Sequence, residues 1–292
     1  MRGFSTYHPV AVLIYFVMIL MITMFLNIPV LLLLSLSGAW FYNLLSAKGS
    51  IRGSLLFDMV FFLIFALSNP IFTHRGSTIL FFLNGKPVTL EAVIYGLCMA
   101  VMMVGVINWC RAFTRIMTSD KLLYLCGKLT PNLSVVLSMV LRYIPLFKIQ
   151  ATKVENTQTA MGLYVEEGHQ AKARGSMRIF SIVLTWSLEN AIDTANSMKA
   201  RGYGMGKRSQ FSIFRWKASD LLLLMISVLL AGFVLYGSAI GQLSFVYYPE
   251  LSKITTTPEA YLVYLACGLL AYMPLLLELK EKLKWKLYRS RI

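Results

Sequence analysis

The sequence predicts an all-α, polytopic helical membrane protein with about six spans plus long cytoplasmic helices. Three observations predict it. Of 292 residues, 57% are hydrophobic and only 14% are charged, whereas a water-soluble domain keeps about a quarter of its residues charged. Mean hydropathy is +0.65. The apolar residues also gather into runs near the ~20 residues of helix that cross a bilayer, with basic residues placed between and after them. A soluble helical protein of this composition would present too apolar a surface to stay dispersed.

The first run, residues 10–26, is too long for a signal-peptide core, and no small-x-small cleavage site follows it. It is expected to remain as an uncleaved span. Asn27 and Pro29 break the run, and the second span occupies 28–45 after a junction short enough only for a hairpin. The third, 55–68, ends at Asn69-Pro70 and contains Asp58. The fourth runs over 90–110 with Glu91 at its start, the fifth over 221–240 and the sixth over 261–277.

Charge gives the orientation. Residues 111–217 carry sixteen Lys/Arg against six Asp/Glu, and residues 280–291 carry six against one. Lys48 and Arg52 lie between the second and third spans. These three regions are separated by even numbers of crossings, so the positive-inside rule places all of them, and both termini, in the cytoplasm. The remaining connections contain only Arg75, Lys86 and Lys253 as basic residues. The formal charge of +15 therefore points to the membrane surface and its lipid, not to nucleic acid. Asp58, if it lies deep, should face protein, because a lone carboxylate in hydrocarbon is costly.

Three regions follow: membrane helices over 1–110, a cytoplasmic helical region over 111–217, and two further spans with a basic tail over 218–292. The middle region is too long for a simple connection and too apolar for a disordered one. Within it, 122–126 is a short helical stretch and 132–153 a longer helix, where Pro145 marks a kink or break and Arg142 supplies charge. Residues 166–174 read as a polar loop or helix end, and 179–199 as a second long helix. On that helix Glu189, Asp193 and Ser197 recur every four residues and share a face. Ala191, Ala195 and Ala200 are small enough to let another helix approach closely. More charged than a span and more apolar than a free helix, these segments suit the inner membrane surface or a partner's groove.

Chemistry of its own is not expected. No Gly-rich loop ending in Lys-Ser/Thr is present, so no P-loop binds ATP. His8, His74 and His169 are far apart, and no Cys, Asp or Glu cluster joins them. The pair Glu166-Glu167 reads as solvated surface. Cys98, Cys110, Cys126 and Cys267 lack metal-ligand spacing and read as buried hydrophobes or membrane-facing thiols. No catalytic residue, resident cofactor or metal is expected.

The most specific local feature is the run from Asn196 to Gly204, in which Lys199 and Arg201 favour the negative end of a helix and Gly202 can cap it. An arginine projecting there can donate several hydrogen bonds into a partner. With His8-Pro9, Asn69-Pro70-Ile71-Phe72, His74-Arg75-Gly76, Arg142-Tyr143-Ile144-Pro145 and Ala200-Arg201-Gly202 in this order, the chain resembles, over nearly its whole length, the transmembrane coupling component of energy-coupling-factor (ECF) vitamin and metal importers, the EcfT/CbiQ family. The resemblance implies a scaffold that joins two ECF ATPase subunits, which bind the ATP, to a substrate-binding membrane subunit, the S component. It implies two long cytoplasmic helices, each ending near an Ala-Arg-Gly triplet whose arginine docks on an ATPase. Arg201 fits the second triplet. The first falls at Ala160-Met161-Gly162, where methionine replaces arginine, while Ala173-Arg174-Gly175 offers an arginine before the last helix. Either Met161 or Arg174 could serve there. Two other classes of function compete: a self-sufficient secondary transporter or channel, needing intramembrane charges such as Asp58 and Glu91 along a path, and a membrane-embedded enzyme, needing clustered polar residues.

Overall fold

The computed structural model describes residues 4–46, 51–73, 76–83, 86–162, 169–206, 214–243, 245–252 and 255–289. Lys48, His74, Arg75, Glu166, Glu167, Lys253 and Arg291, and the side chain of His169, lie outside the described residues. Among those described, nine α-helices and one hairpin follow a 3-10 turn at Phe4–Thr6: α1 (Pro9–Phe25), α2 (Pro29–Ser46), α3 (Ile51–Phe72), β1 (Ile79–Leu83), β2 (Lys86–Thr89), α4 (Leu90–Ile116), α5 (Ser119–Leu129), α6 (Pro131–Ala160), α7 (His169–Ala200), α8 (Ala218–Ala239) and α9 (Pro258–Arg289). The all-helical membrane architecture expected from the sequence is observed.

Two compact units divide the chain, one of residues 1–121 with 214–292 and the other of residues 122–213. In the first, α4 packs on α3 and α2, α9 packs on α2 and α8, and α1 packs on α8 and α4. The core is aromatic. Trp109, Tyr15 and Phe16 are buried and meet edge to face, and Phe16 continues onto Phe113. The indole of Trp109 donates to Ser35 Oγ at 2.9 Å, and Ser35 shares a 2.7 Å hydrogen bond with Thr23. These satisfy the polar atoms that an apolar core would otherwise leave unpaired.

Helices run past three prolines, two of which, Pro70 and Pro145, the sequence suggested as an end or a break. The third helix was expected to stop at Asn69-Pro70, yet α3 continues to Phe72. Pro70 lacks an N–H for the Ala66 carbonyl, and there Gly96 of α4 brings its backbone close: a Cβ on Gly96 would lie 2.7 Å from that oxygen. Asn69 Nδ2 donates to the Ala92 carbonyl at 2.8 Å, so Asn69-Pro70 is a helix–helix junction. Pro274 sits inside α9 in the same way, and the Leu270 carbonyl it frees accepts the buried Tyr15 hydroxyl at 2.9 Å. Pro145 likewise lies within a continuous α6 instead of breaking it. At Pro274 a tertiary hydrogen bond thus fills the acceptor that the proline frees.

Other boundaries also move outward. α4 ends at Ile116 and not at 110, because Ala112 and Ile116 still point into the core. α7 starts at His169, so the polar segment expected as a loop or helix end is helical from that residue. α9 carries the basic tail as helix to Arg289. Residues 79–89, expected as part of a plain loop, form an antiparallel hairpin that pairs Ile79 with Thr89 and Phe82 with Pro87.

Among the described residues, six helices are long and apolar enough to cross a membrane, but they are not the six read from the sequence. α6 is among them, and α1, at 17 residues, falls just short. Seventeen residues is the lower end of the spanning range. Arg142 and Lys148 of α6 are exposed, so a crossing there would put two cations into hydrocarbon.

Candidate functional site

The 122–213 unit is built on two long helices, α6 of 30 residues and α7 of 32, about 45 Å and 48 Å at ~1.5 Å per residue. They cross once. Tyr143 Oη lies 2.9 Å from Thr194 Oγ1, and Phe147 packs edge-on against Trp186 at 6.2 Å. The pairing of rising α6 numbers with falling α7 numbers makes the helices antiparallel at the crossing. The half-buried face of α7 is Ile179, Val183, Trp186, Asn190, Thr194 and Met198, at helical spacing. Ala191 and Ala195 are exposed instead. The close approach expected of the small residues is therefore not made at the α6 crossing. Bulky aromatic groups outcompete them, because a thinly covered helix pair gains most from burying large rings.

The two helices end alike. Each closes on alanine, has one residue at the C-cap, and then a left-handed glycine: Ala160-Met161-Gly162 with φ 72°, and Ala200-Arg201-Gly202 with φ 81°. At the second end Gly202 N–H donates to the Lys199 carbonyl at 3.0 Å and Tyr203 N–H to Met198 at 3.0 Å, which is the Schellman arrangement. At the first, Gly162 N–H donates to Thr159 at 3.0 Å, the matching bond. Met161 and Arg201 thus occupy equivalent positions, and both side chains are exposed. Ala160 lies about 20 Å of helix beyond Phe147, and Ala200 about 9 Å beyond Thr194 in the opposite sense. The unit presents two equivalent capped ends on opposite sides of one crossing.

Arg174 is elsewhere. It is an exposed residue in the second turn of α7, and Ala173-Arg174-Gly175 is interior helix with no capping geometry. Of the two candidates for the first end, only Met161 has the position. Glu189, Asp193 and Ser197 form an exposed polar stripe leading along α7 toward Arg201, and Arg142 and Pro145 are exposed on α6 beside the crossing.

The intramembrane charges are engaged in structural contacts. Asp58 is 8% exposed. Its Oδ1 is 2.7 Å from Arg111 Nη1, an ion pair by distance though not aligned as a hydrogen bond, and its Oδ2 accepts from Asn108 Nδ2 at 3.1 Å. Arg111 also donates to Ser54 Oγ at 2.7 Å and sits 5.0 Å from the centre of the Phe57 ring. Asn43 of α2 reaches the Asn108 carbonyl at 2.9 Å. Sequence reasoning singled out Asp58 but missed Arg111, whose place one helix turn past Asn108 could have paired it. Glu91 is buried and accepts from the Ser77 and Thr78 hydroxyls at 3.1 Å and 2.7 Å and from the Thr78 N–H, tying α4 to the hairpin. Among the described residues, no group of three or more His, Cys, Asp or Glu side chains is placed to hold a metal ion. The four cysteines are unpaired, with Cys98 and Cys267 buried and Cys110 exposed.

Comparison with known proteins gives several relatives named as energy-coupling factor transporter transmembrane proteins. The chain is 31% identical over 106 residues to the energy-coupling factor transporter transmembrane protein EcfT of Lactobacillus helveticus, covering 36% of this chain and 38% of that one. It is 24% identical over 191 residues to EcfT of Staphylococcus aureus, covering 60% and 70%, and 29% identical over 107 residues to EcfT of Listeria innocua, covering 36% and 40%. The chain thus spans well under half of the first and third relatives and about two thirds of the second. No family model matches the chain. These homologues bear out the resemblance to the EcfT/CbiQ family, and with the long apolar helices they support a multi-pass membrane protein.

Proposed function

We propose that this chain, a homologue of energy-coupling factor transmembrane proteins, is the coupling scaffold of an ATP-driven importer. It joins two ATPase subunits to a substrate-binding membrane subunit, the S component, for uptake of a vitamin or metal ion. One observation carries the reading: the two long crossed helices end in equivalent, exposed, glycine-capped tips. A rigid helix pair with a docking tip at each side suits two copies or paralogues of one soluble partner. Arg201 supplies a charged fork at one tip, and Met161 a flexible apolar contact at the other.

ATP is bound and hydrolysed in the partners, and this chain needs neither a cofactor nor catalytic residues. Closure of the ATPases displaces the tips, and the helices carry that displacement to the membrane unit. A nucleotide shifts the conformation only through its different affinity for the two states of the ATPases. In the proposed topology α1–α4, α8 and α9 cross the membrane, with α6 and α7 at its inner face and both termini in the cytoplasm. The exposed cations at Arg142 and Lys148 favour this placement of α6 over a crossing.

A self-sufficient transporter or channel is less well supported, since Asp58 is engaged by Arg111 and Asn108 of α4 and Glu91 by Ser77 and Thr78 beside the hairpin. Mild-detergent purification of the chain from its native membrane, with identification of every bound subunit, tests the scaffold. Recovery of two ATPases and a membrane subunit is expected. Solute transport by the purified chain alone, without ATPases, would overturn the reading.

A further inference from the structure

The chain leaves the membrane-helix unit once, after Lys121, and returns once, before Phe214. Both passages are held by the same short segment. Lys121 is 7% exposed, and its ammonium donates to the carbonyl of Ser5 and, at 3.1 Å, to the carbonyl of Ile116. It thereby satisfies an orphan acceptor at the end of α4 and ties the start of α5 to the N-terminal turn. On the return, the Trp216 ring stacks on the His8 ring, with centroids 3.9 Å apart and planes 19° from parallel. Four residues later Asp220, 4% exposed, reaches back to the Lys217 N–H at 3.0 Å and fixes the first turn of α8.

The segment between those contacts is itself anchored. Phe4 is 1% exposed and meets Tyr15 and Phe16 edge to face at 5.4 Å and 6.2 Å. Those rings lead directly into Trp109 and Phe113 of α4. His8 caps α1, its Nδ1 accepting from the Val10 N–H at 3.3 Å, and Pro9 occupies the first helical position, where its missing N–H costs nothing. A buried lysine with carbonyl partners is an expensive way to end a helix. It is intelligible where a connection must not slip.

We propose that residues 4–9 are a clasp that binds the outgoing and returning passages to one point of the aromatic core, with Lys121, His8 and Trp216 as positioning residues. Displacement that reaches Lys121 or Trp216 is then delivered to α1 and α4 together. The clasp as structure stands by itself; its mechanical use rests on the coupling role proposed above.

Hydrogen exchange on the purified full chain tests the clasp without partners. The Met117 and Lys121 amides report the outgoing passage, through their bonds to the Phe113 and Thr118 carbonyls. The Asp220 and Leu221 amides, bonded to the Lys217 carbonyl, report the return. Lys121→Met should speed exchange about tenfold at its own passage and, through the shared segment, at Asp220 and Leu221 also. Trp216→Ala should speed exchange about threefold at the return and also at Met117 and Lys121. Lys121→Arg, which keeps the donors, should restore protection at both passages, and the amides of α2 should not change in any variant. Loosening confined to the mutated passage, or no rescue by arginine, overturns the clasp. In the reconstituted complex with ATPases, Lys121→Met should keep ATP hydrolysis and lower uptake per ATP. A wild-type chain that recovers no ATPase would defeat the coupling role and leave the exchange result intact.

Discussion

Removing one partner of the Asp58–Arg111 pair should destabilise the chain far more than removing both. In Asp58→Ala, Arg111 loses its counter-ion at 2.7 Å and Asn108 loses its 3.1 Å acceptor. A buried ion stripped of its partner costs about 3–5 kcal/mol. The side chain of Arg111 is 27% accessible and keeps Ser54 and Phe57, while Asn108 keeps the Val104 carbonyl. We therefore reduce the expected loss to about 2–3 kcal/mol. The double change Asp58→Leu with Arg111→Met removes both charges together and leaves apolar groups between α3 and α4, for a loss of under about 1 kcal/mol. At about 2–4 °C per kcal/mol, thermal unfolding in one fixed detergent should fall by about 4–12 °C for the single variant and by no more than about 4 °C for the double. Equal shifts for the two, or a larger one for the double, would refute the view that the pair's weight lies in mutual neutralisation.

Arg201→Glu should cut co-purification of ATPase subunits at least about tenfold, the weight of a charge-assisted hydrogen bond, with membrane insertion unchanged. Met161→Ala should weaken recovery by a smaller factor, and Arg174→Ala should leave it at the wild-type level; a loss with Arg174→Ala would return the first docking role to that residue. Tyr15→Phe should cost about 1–3 kcal/mol by leaving the Leu270 carbonyl unpaired, and much less in a Pro274→Ala background, where the helix can supply its own N–H. A thermal-unfolding double-mutant cycle without coupling would argue against that compensation. An impermeant thiol reagent on intact cells should label Phe82→Cys in the hairpin and spare Arg201→Cys, in a background lacking the native cysteines. Labelling of Arg201→Cys from outside would reverse the proposed topology.

Much of the fold could be read because hydrocarbon imposes a simple rule: every crossing must be helical and apolar over about twenty residues. The spans around 28–45, 90–110, 221–240 and 261–277 all became helices for that reason. The boundaries failed where partners intervene. Pro70 looks like a stop in one dimension, and only the apposed α4, with Gly96 against the Ala66 carbonyl, shows the helix continuing as a packed junction. The hairpin at 79–89 was missed because its pairing follows an apolar run that lacks the alternation of a half-buried strand. At the candidate site the triplet at Arg201 was legible as a capped helix end. The choice between Met161 and Arg174 was not, since both follow alanine and precede glycine.

Composition by itself determined a polytopic helical membrane protein, because burial in lipid acts on residue type irrespective of contacts. The tertiary structure alone decided what fills the carbonyl that Pro274 leaves free, and that Asp58 meets Arg111 while Lys121 meets Ser5. Those outcomes depend on distances between residues far apart in the chain, and no local pattern contains them.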